Sequence, residues 1–215
     1  MTRVNYRPEV FDVVSIEAAK EMIVTPVPGA TSDQRWVKET TYLAADIAKH
    51  IPIGPESVVL DYGCGIGRMS KQLIETTGCR VIGVDFSKSM RLLATDYVLS
   101  ERFVIWSPET LDQMIAKGFR VDAAISIWVI QHVLNPVEVL NRIYSAIKPG
   151  GMHYSLNQAR CVPTDHGWIN DRFDIAENLR QQYAEVAAYQ LPESESTREL
   201  SKASTIQVLR KARRT

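Results

Sequence analysis

The chain has 215 residues, a length that suits one domain with a sizeable core of its own. Its 25 basic and 25 acidic residues cancel to a formal net charge of zero at pH 7, which argues against a whole-domain footprint for nucleic acid or an anionic membrane. No segment approaches about 18 consecutive apolar residues, and the three cysteines show neither disulfide nor metal-ligand spacing. We therefore expect a cytoplasmic protein, neither secreted nor membrane-bound, without a metal site or a nucleic-acid partner.

Residues 1–31 form an opening segment in which a short helix is predicted over 17–23. Apolar residues at helical spacing then predict an amphipathic helix that begins at Ser32, taken as its N-cap, and ends near residue 51. Beyond it, predicted strands and helices alternate. The strands are 58–61, 80–85, 103–106, 122–128 and 152–156, and the helices between them are 68–77, 88–99, 109–117 and 136–147.

The last third of the chain changes character. A polar segment, 157–171, precedes a predicted helix over 175–183 and two predicted strands, 185–191 and 205–210. Repeated strand–helix units imply a parallel sheet with helices on both faces, and we expect the last two strands to form an antiparallel hairpin at its edge. Ligands bind such sheets outside the carboxyl ends of the strands, near the point where the strand order reverses.

A glycine loop follows the first predicted strand. Asp61 ends that strand, and Gly63, Gly65 and Gly67 follow on alternate positions. Without Cβ atoms, the backbone can turn sharply and a ligand can lie against bare peptide groups. The fingerprint of nicotinamide and flavin enzymes, G-x-G-x-x-G, would need a glycine where Arg68 stands. The pattern D-x-G-x-G-x-G instead resembles the first motif of class I S-adenosylmethionine-dependent methyltransferases.

Three further segments resemble later motifs of that family, in the same order. Asp85 ends the second strand, the stretch 121–133 resembles the family's fourth strand and the turn after it, and residues 148–151, Lys-Pro-Gly-Gly, resemble its turn into strand five. The resemblance spans roughly residues 58–156 and is closest to the group that modifies small metabolites. It implies an α/β fold, a three-layer Rossmann-like sandwich with a mostly parallel seven-stranded sheet and a C-terminal antiparallel hairpin.

The resemblance also implies a function. The cofactor would be S-adenosylmethionine, the product S-adenosylhomocysteine, and the reaction methyl transfer to an oxygen or nitrogen of a small-molecule acceptor. Residues 1–215 would form a single methyltransferase domain, with 1–31 as an opening segment or lid, 32–156 as the donor-binding core and 157–215 as the acceptor-side segment and terminal hairpin. Two alternatives stay open, an NAD-dependent oxidoreductase and a non-catalytic subunit that binds S-adenosylmethionine.

Carboxylates at two strand tips are the leading candidates for donor contacts. An acid at the position of Asp85 can accept hydrogen bonds from both ribose hydroxyls, and the family uses it so. The resemblance places Asp61 at the methionyl end, with the alternative that it only satisfies loop amides. Ser107 stands where the family has an acid that recognises adenine, so Glu109 is an alternative contact, or else it supports the start of its helix. The residues expected to contact the donor are Asp61, Gly63, Cys64, Gly65, Gly67, Asp85, Phe86, Met90, Ser107, Pro108, Glu109, Ser126 and Ile127.

His132 is the candidate catalytic base. It follows the fourth strand on the side where the ligand is expected, and its ordinary pKa suits proton transfer near neutrality, with a structural role as the alternative. The candidate acceptor contacts lie beyond the fifth strand and are Asn157, Arg160 and His166. The residues expected to roof the donor pocket from the N-terminal helix are Trp36, Lys38 and Tyr42, with core packing as the alternative for the tryptophan.

Overall fold

The computed structural model describes residues 8–24, 30–158 and 173–213. Over these ranges strands and helices alternate, after two helices that precede the first strand. The helices are α1 (Ile16–Ile23), α2 (Ser32–His50), α3 (Arg68–Thr77), α4 (Lys88–Val98), α5 (Pro108–Ala116), α6 (Pro136–Ala146), α7 (Ile175–Gln182) and α8 (Arg198–Ala203). The strands are β1 (Val58–Tyr62), β2 (Arg80–Val84), β3 (Phe103–Trp106), β4 (Val121–Ile127), β5 (Ile147–Gln158), β6 (Ala184–Gln190) and β7 (Ser204–Arg210).

The seven strands of the described ranges form one sheet in the order β3-β2-β1-β4-β5-β7-β6. Strands β1 to β5 pair in parallel, whereas β7 runs antiparallel between β5 and β6. The predicted fold, a mostly parallel seven-stranded sheet with a C-terminal antiparallel hairpin, is confirmed. Because β1 lies between β2 and β4, the strand order reverses there, and a crevice forms at the carboxyl ends of β1 and β4.

Helices cover both faces of the sheet and complete a three-layer sandwich. On one face α2 and α3 bury apolar side chains such as Leu43 and Leu73, and on the other α5, α6 and α7 bury Leu111, Ile143 and Leu179. Strand β1 is buried on both sides, which explains its uninterrupted apolar run. A third, smaller cluster joins α1 to α2 and α4 at the carboxyl end of the sheet.

The start of α2 differs from the prediction by one residue. Thr31, not Ser32, is the N-cap: its hydroxyl accepts a hydrogen bond from Gln34 N at 3.2 Å, and the Gln34 side chain accepts one from Thr31 N at 3.0 Å. Two backbone donors that α2 itself cannot satisfy are thereby paired, so this capping box sets the start of the helix.

Two elements near the C-terminus also differ from the prediction. Strand β5 begins at Ile147 rather than at residue 152, because Gly150 N donates to Lys211 O and Lys211 N donates to Gly151 O, which draws the Pro-Gly-Gly turn into the sheet. The polar stretch between β6 and β7 contains α8, whose first turn is capped by the hydroxyl of Thr197.

Candidate functional site

A cavity of about 380 Å³ opens at the carboxyl ends of β1, β2 and β4, in the crevice where the strand order reverses. Its walls include Gly63 and Gly65 after β1, Asp85 after β2 and Trp128 after β4. The volume falls in the range of sites for small molecules and cofactors. The position and size of this cavity make it the candidate functional site.

The glycine loop forms one wall of the cavity, and its conformation requires glycine. Gly63, Gly65 and Gly67 have φ angles of 74°, 55° and 83°, a region that side chains disfavour. A Cβ atom on Gly63 would lie 2.3 Å from Val129 Cγ2, and one on Gly65 would lie 2.6 Å from Ile23 Cδ1. The loop is held to β2 by hydrogen bonds from Gly63 N and Cys64 N to Val84 O. The glycines are therefore required by close packing against Val129 and Ile23, and the backbone of Gly63 and Gly65 forms part of the cavity wall.

Asp85 ties this loop to the neighbouring strand. Its Oδ2 accepts a hydrogen bond from Gly65 N at 2.8 Å, and its Oδ1 accepts one from Ser87 N at 2.9 Å. Burial raises the pKa of Asp85, while the backbone bonds from Ser87 and Gly65 lower it in part. Each carboxylate oxygen keeps a further lone pair, so Asp85 can still accept two ligand hydroxyls from its place on the cavity wall.

Asp61 lies beneath the loop and not among the residues that line the cavity. It is 3 % exposed, and its Oδ2 accepts a hydrogen bond from the Ser70 hydroxyl at 2.7 Å. Burial raises the pKa of Asp61 to about 6, opposed by the Ser70 hydrogen bonds and by the charge of Arg68. Its hydrogen-bond partner in the described residues is thus Ser70 of α3, not an amide of the glycine loop.

The other predicted donor contacts divide into two groups. Four lie on the cavity wall beyond the loop and Asp85: Phe86, Met90, Pro108 and Ile127. Five lie away from it: Cys64, Gly67, Ser107, Glu109 and Ser126. Ser107 caps α5 by accepting from Thr110 N, and Glu109 is exposed with its pKa lowered by the Ser107 hydroxyl, which supports its helix-start role. Ser126 is fully buried against His153, with Oγ 3.0 Å from Nε2.

His132 lies on the cavity wall, on the 3-10 turn Ile130–His132 that follows β4. Its ring packs near Phe11, with centroids 6.3 Å apart. Burial lowers the pKa of His132 to about 4, so the imidazole is neutral at pH 7. Such a weak base is a poor proton acceptor near neutrality.

Of the candidate acceptor contacts, Asn157 serves the turn that carries His132. Its Oδ1 accepts from Ile130 N at 2.9 Å and its Nδ2 donates to the Ser155 hydroxyl at 2.8 Å. It does not line the cavity. Arg160 and His166 lie outside the described residues.

The expected roof from α2 is wrong. Trp36 is buried against Ile66 and Met90, Lys38 is exposed, and neither these residues nor Tyr42 line the cavity. The roof comes instead from residues N-terminal to α2: Phe11, Met22 and Ile23. The apolar residues at the end of α1 were the sequence signal for this role, since a short exposed helix would not need two of them in succession.

Two further residues of the cavity wall, Trp128 and Arg142, were not predicted from the sequence to line the site. Trp128 has a φ of 60°, an unfavourable conformation for a bulky residue at the tip of β4. Arg142 of α6 donates to the Tyr62 hydroxyl at 3.0 Å and pairs with Asp112 at 2.7 Å and Glu138 at 2.9 Å. Its charge is therefore balanced by carboxylates of this chain.

The comparisons with known proteins point in one direction. The sequence profile of the family described as "Methyltransferase domain" matches residues 60–155. The chain is 28% identical over 109 residues to the ubiquinone biosynthesis O-methyltransferase of Methylobacterium sp. (strain 4-46), covering 48% of this chain and 43% of that protein. It is 28% identical over 126 residues to the trans-aconitate 2-methyltransferase of Paracidovorax citrulli (strain AAC00-1), covering 55% of this chain and 45% of that protein.

A solved structure extends the comparison to nearly the whole fold. A structure of geranyl diphosphate methyltransferase in complex with SAM superposes with a TM-score of 0.63, at 13% identity, over 97% of each chain. At that identity the match shows the fold alone. The chain spans less than half the length of the two curated relatives described above.

Fold and site together define a Rossmann-like α/β protein with a ligand crevice at the strand tips. Residues 60–155 of this chain match the family described as a methyltransferase domain, and the predicted resemblance to class I S-adenosylmethionine-dependent methyltransferases is confirmed. The matches give no support to a nicotinamide-dependent oxidoreductase. Within the described residues, no helix combines the length and apolar character needed to cross a membrane.

Proposed function

We propose that this chain is an S-adenosylmethionine-dependent methyltransferase that transfers a methyl group to an oxygen or nitrogen of a small-molecule acceptor, leaving S-adenosylhomocysteine. The observation that carries the proposal is the Asp85 carboxylate, held on the cavity wall by Gly65 N and Ser87 N beside Gly63 and Gly65, the two loop residues that line the cavity without a Cβ atom. That arrangement offers two acceptor oxygens for ribose hydroxyls and bare peptide for an amino-acid tail.

The residues present fit the methyl donor. Asp85 would hold the ribose, and the glycine loop would lie along the methionyl chain. The adenine ring would pack among the apolar wall residues Phe86, Met90, Pro108 and Ile127. Asp61 would act on the ammonium group from beneath the loop, through water, since it is buried and does not itself reach the cavity.

Bound S-adenosylmethionine supplies an activated methyl group and a neutral sulfur leaving group. What remains for the protein is positioning and the exclusion of water, which together can supply most of the acceleration. Phe11, Met22 and Ile23 close the cavity from above with apolar side chains. An acceptor would approach along the part of the cavity wall that carries His132 and Trp128.

The similarity to a ubiquinone biosynthesis O-methyltransferase supports an oxygen acceptor. We further propose the division given by the sequence: residues 1–31 as the lid, 32–156 as the donor-binding core and 157–215 as the acceptor side. A cytoplasmic location is supported by Cys64 and Cys79, which are free and buried thiols.

The test is a comparison of ligands by thermal shift and calorimetry. S-adenosylhomocysteine should raise the melting temperature, because a ligand that binds only the folded state stabilises it, and NAD should not. Turnover is then measured with radiolabelled S-adenosylmethionine and a panel of phenols, carboxylic acids and amines. Stabilisation by NAD but not by S-adenosylhomocysteine would overturn the proposal, and donor binding without any turnover would favour the non-catalytic alternative.

A further inference from the structure

The amide of Gln131 has one orientation that its neighbours allow. Gln131 is 3 % exposed and lies on the 3-10 turn beside His132. Its Oε1 accepts a hydrogen bond from the backbone N–H of Gln158 at 2.8 Å. Because that N–H can only donate, the oxygen must face β5 and the NH₂ group must face the other way.

This orientation decides where His132 carries its proton. Gln131 Nε2 lies 3.0 Å from His132 Nε2. An amide NH₂ only donates, so His132 Nε2 must accept and the single proton of the neutral ring is on Nδ1. In the charged imidazolium form, Nε2 would also carry a proton, and that proton would face a proton of the Gln131 NH₂ group. Gln131 therefore disfavours the charged form of His132, as burial does. Among the described residues, none hydrogen-bonds to Nδ1.

We propose that Gln131 is a positioning residue that fixes His132 as the Nδ1–H tautomer, and that His132 thereby donates a hydrogen bond to an anionic oxygen of the acceptor and does not remove its proton. This inference rests on the proposed methyl transfer. The turn that carries both residues is fixed to the end of β5 twice, by Asn157 Oδ1 accepting from Ile130 N and by Gln158 N donating to Gln131. The tautomer is thus set by the sheet, not by a mobile side chain.

The geometry also narrows the chemical class of the acceptor. Since the lone pair of Nε2 is engaged by Gln131, the ring offers the acceptor a donor and no base. The charged groups on the same cavity wall are Asp85, Glu138 and Arg142, and Asp85 is already bonded to the backbone while the last two pair with each other. Of the oxygen and nitrogen acceptors, this wall favours an oxygen acid that ionises by itself in water, such as a phenol, a catechol, an enol or a carboxylic acid, because its oxyanion needs a hydrogen-bond donor and no base.

The transfer step then balances without a protein base. The acceptor loses its proton to water before the reaction, and the Nδ1–H of His132 holds the resulting oxyanion. An oxygen lone pair forms the new O–CH₃ bond, the C–S bond breaks, and its electron pair returns to sulfur. The products are the methyl ether or ester and a neutral thioether.

The tautomer is read directly by long-range ¹H–¹⁵N correlation NMR of the ¹⁵N-labelled, ligand-free protein. The spectrum distinguishes a protonated from an unprotonated ring nitrogen, and the His132 signals are those lost in His132→Asn. We expect the proton on Nδ1 in the wild type. In Gln131→Glu, a carboxylate would accept from Nε2–H, so the proton should move to Nε2 and the imidazole pKa should rise. Gln113→Glu introduces the same charge at an exposed position of α5 and should change neither the tautomer nor the pKa of His132.

The donor role is tested with a probe pair in the presence of S-adenosylhomocysteine. The probes are 4-nitrophenol at mildly alkaline pH, where it is ionised, and its methyl ether 4-nitroanisole, which has no anionic oxygen. The phenolate should shift the Nδ1 signal and the ether should not. His132→Ala and Gln131→Glu should weaken phenolate binding roughly 10- to 100-fold, the scale for a hydrogen bond to a charged group. His132→Asn should retain most of the affinity, because its amide nitrogen occupies about the place of Nδ1.

Three results would overturn this inference: a proton on Nε2 in the wild type, a phenolate that leaves Nδ1 unmoved, or His132→Asn that binds phenolate as weakly as His132→Ala. Failure of the proposed function is distinguishable from these. If the wild-type protein does not bind S-adenosylhomocysteine, the methyltransferase proposal fails, whereas the tautomer is read in the ligand-free protein and is decided independently.

Discussion

Replacing Gly63 by alanine should destabilise the fold in two ways, through an unfavourable backbone conformation and through a clash of the new Cβ atom, and a control substitution in the same chain separates the two effects. The φ angle of 74° costs a residue with a side chain about 1–2 kcal/mol. The new Cβ would also lie 2.3 and 2.5 Å from the two γ-methyl groups of Val129, which adds an overpacking cost of about 1–3 kcal/mol. We therefore expect Gly63→Ala to lower the free energy of unfolding by about 2–5 kcal/mol.

Gly118 provides the matched control. Its φ is 89°, and a Cβ built there meets nothing within 4 Å, so Gly118→Ala should show only the conformational cost of about 1–2 kcal/mol. Both substitutions restrict the unfolded chain in the same way, so their difference isolates the clash. Val129→Ala removes both γ-methyl groups and leaves the Val129 Cβ at 2.9 Å, which should restore most of that difference in the double mutant.

Urea unfolding of the wild type, Gly63→Ala, Val129→Ala and the double mutant, followed by circular dichroism, gives the coupling free energy between residues 63 and 129. We expect a favourable coupling of roughly 1–3 kcal/mol. Equal costs for Gly63→Ala and Gly118→Ala, or additive effects of the changes at 63 and 129, would refute the reasoning that this glycine is required by close approach.

Three further substitutions address single carboxylates. Asp85→Asn should weaken S-adenosylhomocysteine binding by about 1.5–3 kcal/mol in calorimetry, because charge-assisted hydrogen bonds to the ribose are lost; an unchanged dissociation constant would remove Asp85 from the donor site. Burial raises the pKa of Asp61 from 3.8 to about 6, so the folded protein holds a proton that the unfolded chain releases. The contribution of Asp61 to stability is then greatest below about pH 4 and falls by about 3 kcal/mol as the pH rises past about 6. Asp61→Asn should reduce this fall in urea unfolding, and an identical pH dependence in both proteins would contradict the assignment. Asp46→Ala should destabilise the protein by about 1–3 kcal/mol, because the buried Tyr154 hydroxyl loses its acceptor at 2.6 Å. The exposed Asp96→Ala is the control, and equal midpoints for these two variants would argue against the buried hydrogen bond.

The sheet was predictable because its signals are local. The apolar strand before Asp61, the three alternate glycines and the Asn135-Pro136 helix start are each read within a few residues, and the structure has them all. Alternation of strands and helices then fixes the order of elements. The helix bounds depended on caps, so the one-residue difference at Thr31 is a competition between two adjacent capping residues.

The site was less predictable because facing a cavity is a long-range property. Ser107 and Ser126 come at the right positions along the chain, yet one hydroxyl is used to cap α5 and the other bonds His153 of a neighbouring strand. Arg142 reaches the hydroxyl of Tyr62, a residue 80 positions earlier. No periodic pattern in the sequence indicates a contact between residues so far apart. The roof formed by Phe11 and α1 likewise depends on contacts between distant parts of the chain.

The placement of β7 has a consequence for how the chain is made. Strand β6 leaves the ribosome first, but its hydrogen-bonding partner in the described sheet is β7, which arrives later and inserts between β6 and β5. Until residues 204–210 have emerged, the edge of β5 that pairs with β7 and the whole of β6 expose unpaired backbone, a state prone to pairing with other chains. Nascent chains paused before residue 204 should therefore be clients of chaperones, and the emergence of β7 should end that dependence.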